Sequence, residues 1–151
     1  MAELLTAIEQ VTARWVAEAT GLAVTSVEHE IIGVGIGVSS AVYRLRLQGD
    51  GVPETLVLKL QALDEAAVFT CTMLRMYTRE VKFFEEIAAQ SPIRVPKGYG
   101  GAISDDGSTY YLFMEDLGGY REVDQNAGME IVDAERALDA LAGWHAVFWG
   151  R

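Results

Sequence analysis

The stretch IIGVGIGVSSAVYRLRLQ, residues 31–48, sets Gly33, Gly35 and Gly37 at alternate positions and then changes at once to a strand pattern. Tyr43, Leu45 and Leu47 alternate with Arg44, Arg46 and Gln48, so the apolar side chains share one face of the segment. β-branched residues precede the glycines from Ser26 to Ile32, and the whole reads as strand, loop, strand. That order decides between glycine motifs. A dinucleotide fingerprint needs a helix behind its glycines, and a Walker loop needs Lys followed by Ser or Thr. Neither is present. A glycine-rich hairpin that lays its backbone over phosphates and an ordinary glycine turn both remain open on these residues alone.

Working outward, Leu4, Ile8, Val11, Trp15 and Ala19 recur at helical steps, and Gly21 is placed to end an amphipathic helix. Beyond the turn cluster GDGVPE, TLVLKL predicts a third strand, with Val57 and Lys59 on the face opposite Leu56, Leu58 and Leu60. Residues 64–90 predict a helix whose second half carries Tyr77, Val81, Phe84, Ile87 and Ala88 as its apolar stripe, until Pro92 and Pro96 stop it. KGYGGAI and TYYLFME flank SDDGS and predict a hairpin of two further strands. A polar, glycine-punctuated connector precedes a last helix marked by Ile131, Leu138, Leu141, Trp144, Phe148 and Trp149. The expected fold class is α+β: a five-stranded antiparallel sheet with a helix packed on one face, an N-terminal helix and a C-terminal helix.

Composition narrows the partners. At 151 residues, half of them hydrophobic, the chain can bury a core, and its net charge of −10 disfavours nucleic acid or an anionic membrane surface. Cys71 is the single cysteine, which rules out an intrachain disulfide, and Glu3 and Glu9 interrupt any secretory leader at the N-terminus. The cytoplasm is the expected compartment.

The charged residues on apolar faces carry the chemistry. An ammonium at Lys59, in the middle of an apolar strand, either reaches an exposed edge or needs a partner, because an unpaired buried charge is costly. Helical geometry sets Glu80 on the inner stripe between Tyr77 and Phe84, with Lys82, Glu85 and Glu86 outward. Glu80 is therefore expected to pair with Lys59 rather than with Arg79 or solvent. In kinases such a strand lysine and helix glutamate hold the nucleotide phosphates. A third element, YYLFMEDLGG, runs an apolar strand into an acidic connector whose backbone could bond an adenine edge; alternatively, Glu115 and Asp116 cap a strand end in water.

With these residues in view, the chain resembles the N-terminal half of the small-molecule kinases of the aminoglycoside phosphotransferase and choline or ecdysteroid kinase-like group, which share the protein-kinase-like fold. GVGIGVSSAVYRL, LVLK, YTREVKFFEEI, VPKGYG, YLFMEDL and LAGWHAVFW occur in that family's order. The resemblance implies a nucleotide-binding N-lobe over residues 1–117, and over 118–151 a hinge with the first helix of a C-lobe. It implies that Gly33, Gly35, Gly37, Ser39 and Ser40 cover the ATP phosphates, that Lys59 holds them and that Glu80 braces Lys59. Met114 would be the gatekeeper, with the Glu115 carbonyl and the Leu117 N–H contacting adenine. ATP with magnesium would be the cofactor and a small-molecule alcohol the phosphoryl acceptor. The family's His-Gly-Asp catalytic loop, its following Asn and its later magnesium-binding Asp do not occur here, and His145 on its apolar helix reads as structural. The expectation is a phosphotransferase lobe truncated before its catalytic loop, inactive alone. The alternatives are a non-catalytic nucleotide-binding module complete at this length, and an oligomer formed through the last helix.

Overall fold

The computed structural model describes residues 2–33, 39–121, 123–124 and 126–150. Five strands form one antiparallel sheet: β1 (Val24–Ile32), β2 (Ser40–Gly49), β3 (Thr55–Gln61), β4 (Gly98–Ile103) and β5 (Tyr110–Glu115). Their spatial order is β1-β2-β3-β5-β4. Among the described residues four α-helices accompany them: α1 (Ala13–Thr20), α2 (Glu65–Met73), α3 (Met76–Lys82) and α4 (Ile131–Phe148). The α+β class with an antiparallel sheet is thus the observed one.

Side-chain alternation sorts the sheet into two faces. On one, Tyr43, Leu45 and Leu47 of β2, Leu56, Leu58 and Leu60 of β3, and Tyr111 and Phe113 of β5 join Leu5, Ile8, Val11, Trp15 and Val16 in the larger core cluster. Leu45, Leu56, Leu58 and Phe113 are fully buried, each stabilising the fold by about 1.5–3 kcal/mol relative to an exposed side chain. On the other face Tyr110 and Leu112 pack with Cys71, Tyr77 and Val81 from α2 and α3. Helices therefore cover both faces rather than the single face expected from the sequence, because the N-terminal segment folds back over the strands it precedes.

The N-terminal stripe is also not one helix. Residues Ile8–Gln10 form a single 3₁₀ turn, and α1 begins only after Thr12, whose side chain accepts a hydrogen bond from the Trp15 N–H. Thr12 is a capping residue that starts a new helix at that point. The helix ends as expected at Gly21, which adopts φ 73° and donates its N–H to the Ala17 carbonyl.

The helix expected over residues 64–90 is likewise divided. It breaks at Leu74 and Arg75, and Arg75 takes a left-handed φ of 55°. The Arg79 guanidinium donates to the Leu74 carbonyl at 2.8 Å, supplying a partner at the break. Beyond α3 the chain widens to a π-helical turn at Phe83–Ile87 and closes in a 3₁₀ turn at Ala88–Gln90. Tyr77 and Val81 are buried as the stripe predicts, and Lys82, Glu85 and Glu86 are exposed.

Helix α4 stands apart in its environment, with no buried residue. Its contacts to the rest of the chain include Trp144 against Phe83, with ring centroids 6.1 Å apart, and Asp133 with Arg121 at 2.6 Å. Among the described residues no helix is long and apolar enough to cross a membrane.

Candidate functional site

Register across the sheet identifies the side chains that surround Lys59. Directly opposed residues of antiparallel strands point to the same face. Ile32 opposes Val42, Val42 opposes Lys59, and Lys59 opposes Leu112, so these four form one row. The next row runs Glu30, Arg44, Val57, Met114. Helices α2 and α3 cover the β5 end of this face through Cys71 of α2 and Tyr77 and Val81 of α3, and Lys59 lies at the edge of that cover. Toward β1 the face bears Ile32, Val42, Arg44 and Val57.

At the boundary the lysine finds its partner. Lys59 Nζ lies 2.6 Å from Glu80 Oε1, and both side chains keep about a quarter of their surface open, at 26% and 28%. Glu80 reaches it because α3 packs Tyr77 and Val81 on either side of that position against the sheet. The second carboxylate oxygen, Glu80 Oε2, accepts from the Tyr110 hydroxyl at 3.4 Å. The same hydroxyl is 2.7 Å from Ser40 Oγ. Ser40, Tyr110, Glu80 and Lys59 thus form one polar chain from the first residue of β2 to the middle of β3. Burial, and next the negative charge of Glu80, push the Tyr110 phenol above its ordinary value. Burial also pushes the Tyr77 phenol up to about 12.

The remaining residues expected at the site are distributed around this chain. Gly33 has φ 69° at the end of β1, whereas Gly35 and Gly37 lie outside the described residues. The Ser39 carbonyl accepts from Cys71 Sγ at 3.7 Å. Met114 packs with the α3-side cluster. The Glu115 N–H donates to the Lys97 carbonyl at 2.8 Å. Its side chain turns to Arg94, 2.6 Å away, and accepts from the Lys97 N–H, and these contacts hold its carboxyl below the usual carboxylate range. The Glu115 side chain is accordingly not part of the Lys59 cluster, and it is paired rather than free in water. The Leu117 carbonyl accepts from the Tyr120 N–H at 2.9 Å.

Leu117 lines an open cavity of about 410 Å³ with Ile32, Arg44, Val57, Asp116 and Tyr120, on the half of the sheet face next to β1. Two of these residues, Arg44 and Asp116, read in the sequence as a polar strand residue and a strand-end cap in water, not as partners of each other. Arg44 Nε lies 2.6 Å from Asp116 Oδ2, and Arg44 Nη1 lies 3.2 Å from Glu30 Oε1. The Arg44 hydrogen bond holds the Asp116 carboxyl below its ordinary value. Tyr110 was also missed, although alternation in YYLFME puts it on the same face as Leu112, which opposes Lys59.

Chemically, a lysine ammonium fixed by a carboxylate but partly open is suited to an anionic oxygen. An apolar floor of Ile32 and Val57 beside a backbone connector is suited to a flat ring. Among the described residues no group of three or more His, Cys, Asp or Glu could hold a metal ion. No protein-family model, curated protein or solved structure matches this chain.

Proposed function

We propose that this chain is the nucleotide-binding lobe of a small-molecule phosphotransferase with a protein-kinase-like fold, of the aminoglycoside phosphotransferase and choline kinase-like kind. The reaction class is transfer of the γ-phosphate of ATP to the hydroxyl of a small molecule. The observation that carries this reading is the 2.6 Å ion pair between Lys59 and Glu80. It joins the third strand to the helical segment between the third and fourth strands, the arrangement that kinases use to hold the α- and β-phosphates.

Two further features support it. The loop between β1 and β2 carries the glycines and ends at Ser40, which is bonded into the same polar chain. The open cavity lies two residue rows across from β1 to β3 and is bounded by the Asp116–Tyr120 connector, a suitable place for a purine. Lys59 is the phosphate ligand in this reading, Glu80 its brace, and Ile32, Val57 and Leu117 the base contacts. The resemblance assigns the catalytic base and the magnesium ligands to a C-terminal lobe.

Calorimetric titration of the 151-residue chain with magnesium and ATP tests the proposal. Saturable binding is expected, weakened at least tenfold by Lys59→Met, with the far-UV circular dichroism unchanged. Absence of binding by the wild-type chain, or equal binding by the variant, would overturn it. A second reading, an oligomerising module, is favoured by α4 and the residue that follows it, where Ile131, Leu138, Leu141 and Trp149 are exposed. A concentration-dependent dimer in sedimentation, lost on Leu138→Gln with Leu141→Gln, would support that role.

A further inference from the structure

We propose that Tyr110 is a positioning residue whose hydroxyl links Ser40, where the chain enters β2 from the glycine-rich loop, to Glu80, so that the loop exit and the Lys59–Glu80 pair are ordered together. Its effect on ATP affinity rests on the nucleotide reading above; the linkage itself does not.

The hydrogen-bond directions follow from the groups involved. A carboxylate only accepts, so Glu80 Oε2 must receive the single Tyr110 hydroxyl proton at 3.4 Å. The 2.7 Å contact to Ser40 must then be donated by the serine hydroxyl to the phenol oxygen. Ser40 gives to Tyr110, Tyr110 gives to Glu80, and Lys59 gives to the other Glu80 oxygen at 2.6 Å. Both carboxylate oxygens are therefore held, one from the strand lysine and one from the loop side.

The ring that carries this hydroxyl is held in place by burial and stacking. Tyr110 is fully buried and stacks on Tyr77, with centroids 4.4 Å apart and planes 16° from parallel. Tyr77 is itself anchored, because its hydroxyl accepts the Ala62 N–H at 3.1 Å, just beyond β3. A phenylalanine would fill the same volume at position 110. The hydroxyl is what couples one segment to the other. Cys71 Sγ donates to the neighbouring Ser39 carbonyl, so the loop exit is held from α2 as well as from β5.

The test uses the whole chain with Tyr110→Phe, Ser40→Ala, the double variant, and Tyr77→Phe as a control that keeps the stacked ring and removes only the hydrogen bond from the Ala62 N–H, outside the Ser40–Tyr110–Glu80 chain. Amide hydrogen exchange is read in the free protein at Ser40 and Ala41 and along α3, and magnesium–ATP affinity is read by calorimetry. Tyr110→Phe is expected to speed exchange at both places by about two- to tenfold, and to weaken ATP binding by a similar factor, the size of one hydrogen bond. Ser40→Ala should add little to Tyr110→Phe, because both break one chain. Tyr77→Phe should lower the unfolding midpoint without changing affinity in proportion. Exchange that changes at α3 alone, or not at all, or Ser40 and Tyr110 effects that add in full, would overturn the linkage. A wild-type chain that binds no ATP would refute the nucleotide reading, while the exchange data would still decide the linkage.

Discussion

Arg44 on β2 reaches past Val57 of the intervening strand to set its Nε 2.6 Å from Asp116 Oδ2 in the connector after β5. The Asp116 side chain is only 9% exposed, so this pair is better shielded than the Arg14–Glu18 surface pair of α1. It ties the open half of the sheet face to the connector that bounds the candidate base cavity. The Gly118 N–H donates to the other oxygen, Asp116 Oδ1, at 2.9 Å.

The pair should make the fold acid-sensitive. The Arg44 hydrogen bond lowers the Asp116 pKa in the folded state from its ordinary value of 3.8. A depressed carboxylate contributes stability at pH values above its unfolded pKa and loses it as pH falls through the folded value. Asp116→Asn should therefore cost about 1–2 kcal/mol at pH 7, the range of a charge-assisted hydrogen bond discounted for partial exposure. Urea unfolding at pH 7 and at pH 3 would check this: the gap between wild type and variant should shrink at the lower pH. A gap that is constant with pH would remove the carboxylate from the account.

The Lys59–Glu80 pair should behave in the opposite way, with a large effect on binding and a small one on stability. Each partner remains about one quarter exposed, and partly solvated ion pairs contribute only about 0–1 kcal/mol. Glu80→Gln is expected to leave the unfolding midpoint within about 1 kcal/mol of wild type while weakening ATP binding several-fold. Parallel chemical denaturation and calorimetry would separate the two effects.

The difference in how these two pairs could be read from sequence is physical. Lys59 and Glu80 are each placed by a local period, two residues in the strand and 3.6 in the helix, and both periods turn them inward. Arg44 and Asp116 are 72 positions apart, and their meeting depends on β5 inserting next to β3, which no local pattern encodes. Alternation in YRLRLQ correctly separates Arg44 from the Tyr43 and Leu45 face without showing what waits on the other side. The break at Arg75 was illegible for a related reason: neither glycine nor proline marks it, and tertiary packing of Cys71 and Tyr77 on the sheet overrides helical continuity. Thr12, by contrast, is a visible cap within a stripe that looked continuous.

Gly100 should tolerate no side chain. It lies in β4 with φ 147°, and a Cβ there would stand 2.4 Å from the Ala19 carbonyl oxygen at the end of α1. Backbone against backbone cannot be relieved by rotating a side chain. Gly100→Ala is expected to destabilise the fold by on the order of 3 kcal/mol, combining backbone strain with displacement of α1. Gly119→Ala, where no atom lies within 4 Å of the added carbon, should change stability far less. Thermal unfolding of the two variants gives the comparison directly.

Trp15 is the anchor that holds the N-terminal segment on the sheet. Its ring lies 5.1 Å from Tyr111 and 5.4 Å from Phe113, and its Nε1–H donates to the Glu3 carbonyl at 2.8 Å. Trp15→Ala should cost about 3–5 kcal/mol, within the range for removing a large buried aromatic. Trp15→Phe should recover most of the packing but free the Glu3 carbonyl. Faster hydrogen exchange confined to residues before Thr12 would be its signature.

Helix α4 should contribute little to the stability of the sheet. It buries none of its residues, and Leu138 and Leu141 are 65% and 48% exposed. Apolar side chains already in water lose no burial when they are replaced by polar ones, so the transfer contribution to unfolding is small. Leu138→Gln with Leu141→Gln is expected to leave the urea midpoint within about 0.5 kcal/mol of wild type, as for ordinary surface positions. Trp144→Ala should have a larger effect, because Trp144 meets Phe83 on the π-helical turn that follows α3. If the leucine pair instead proved strongly destabilising in the monomeric chain, those side chains would have to be buried in solution, and an α4 set apart from the core would be ruled out. Measuring the midpoint at several protein concentrations distinguishes that outcome from burial against a second copy, which would make the loss depend on concentration.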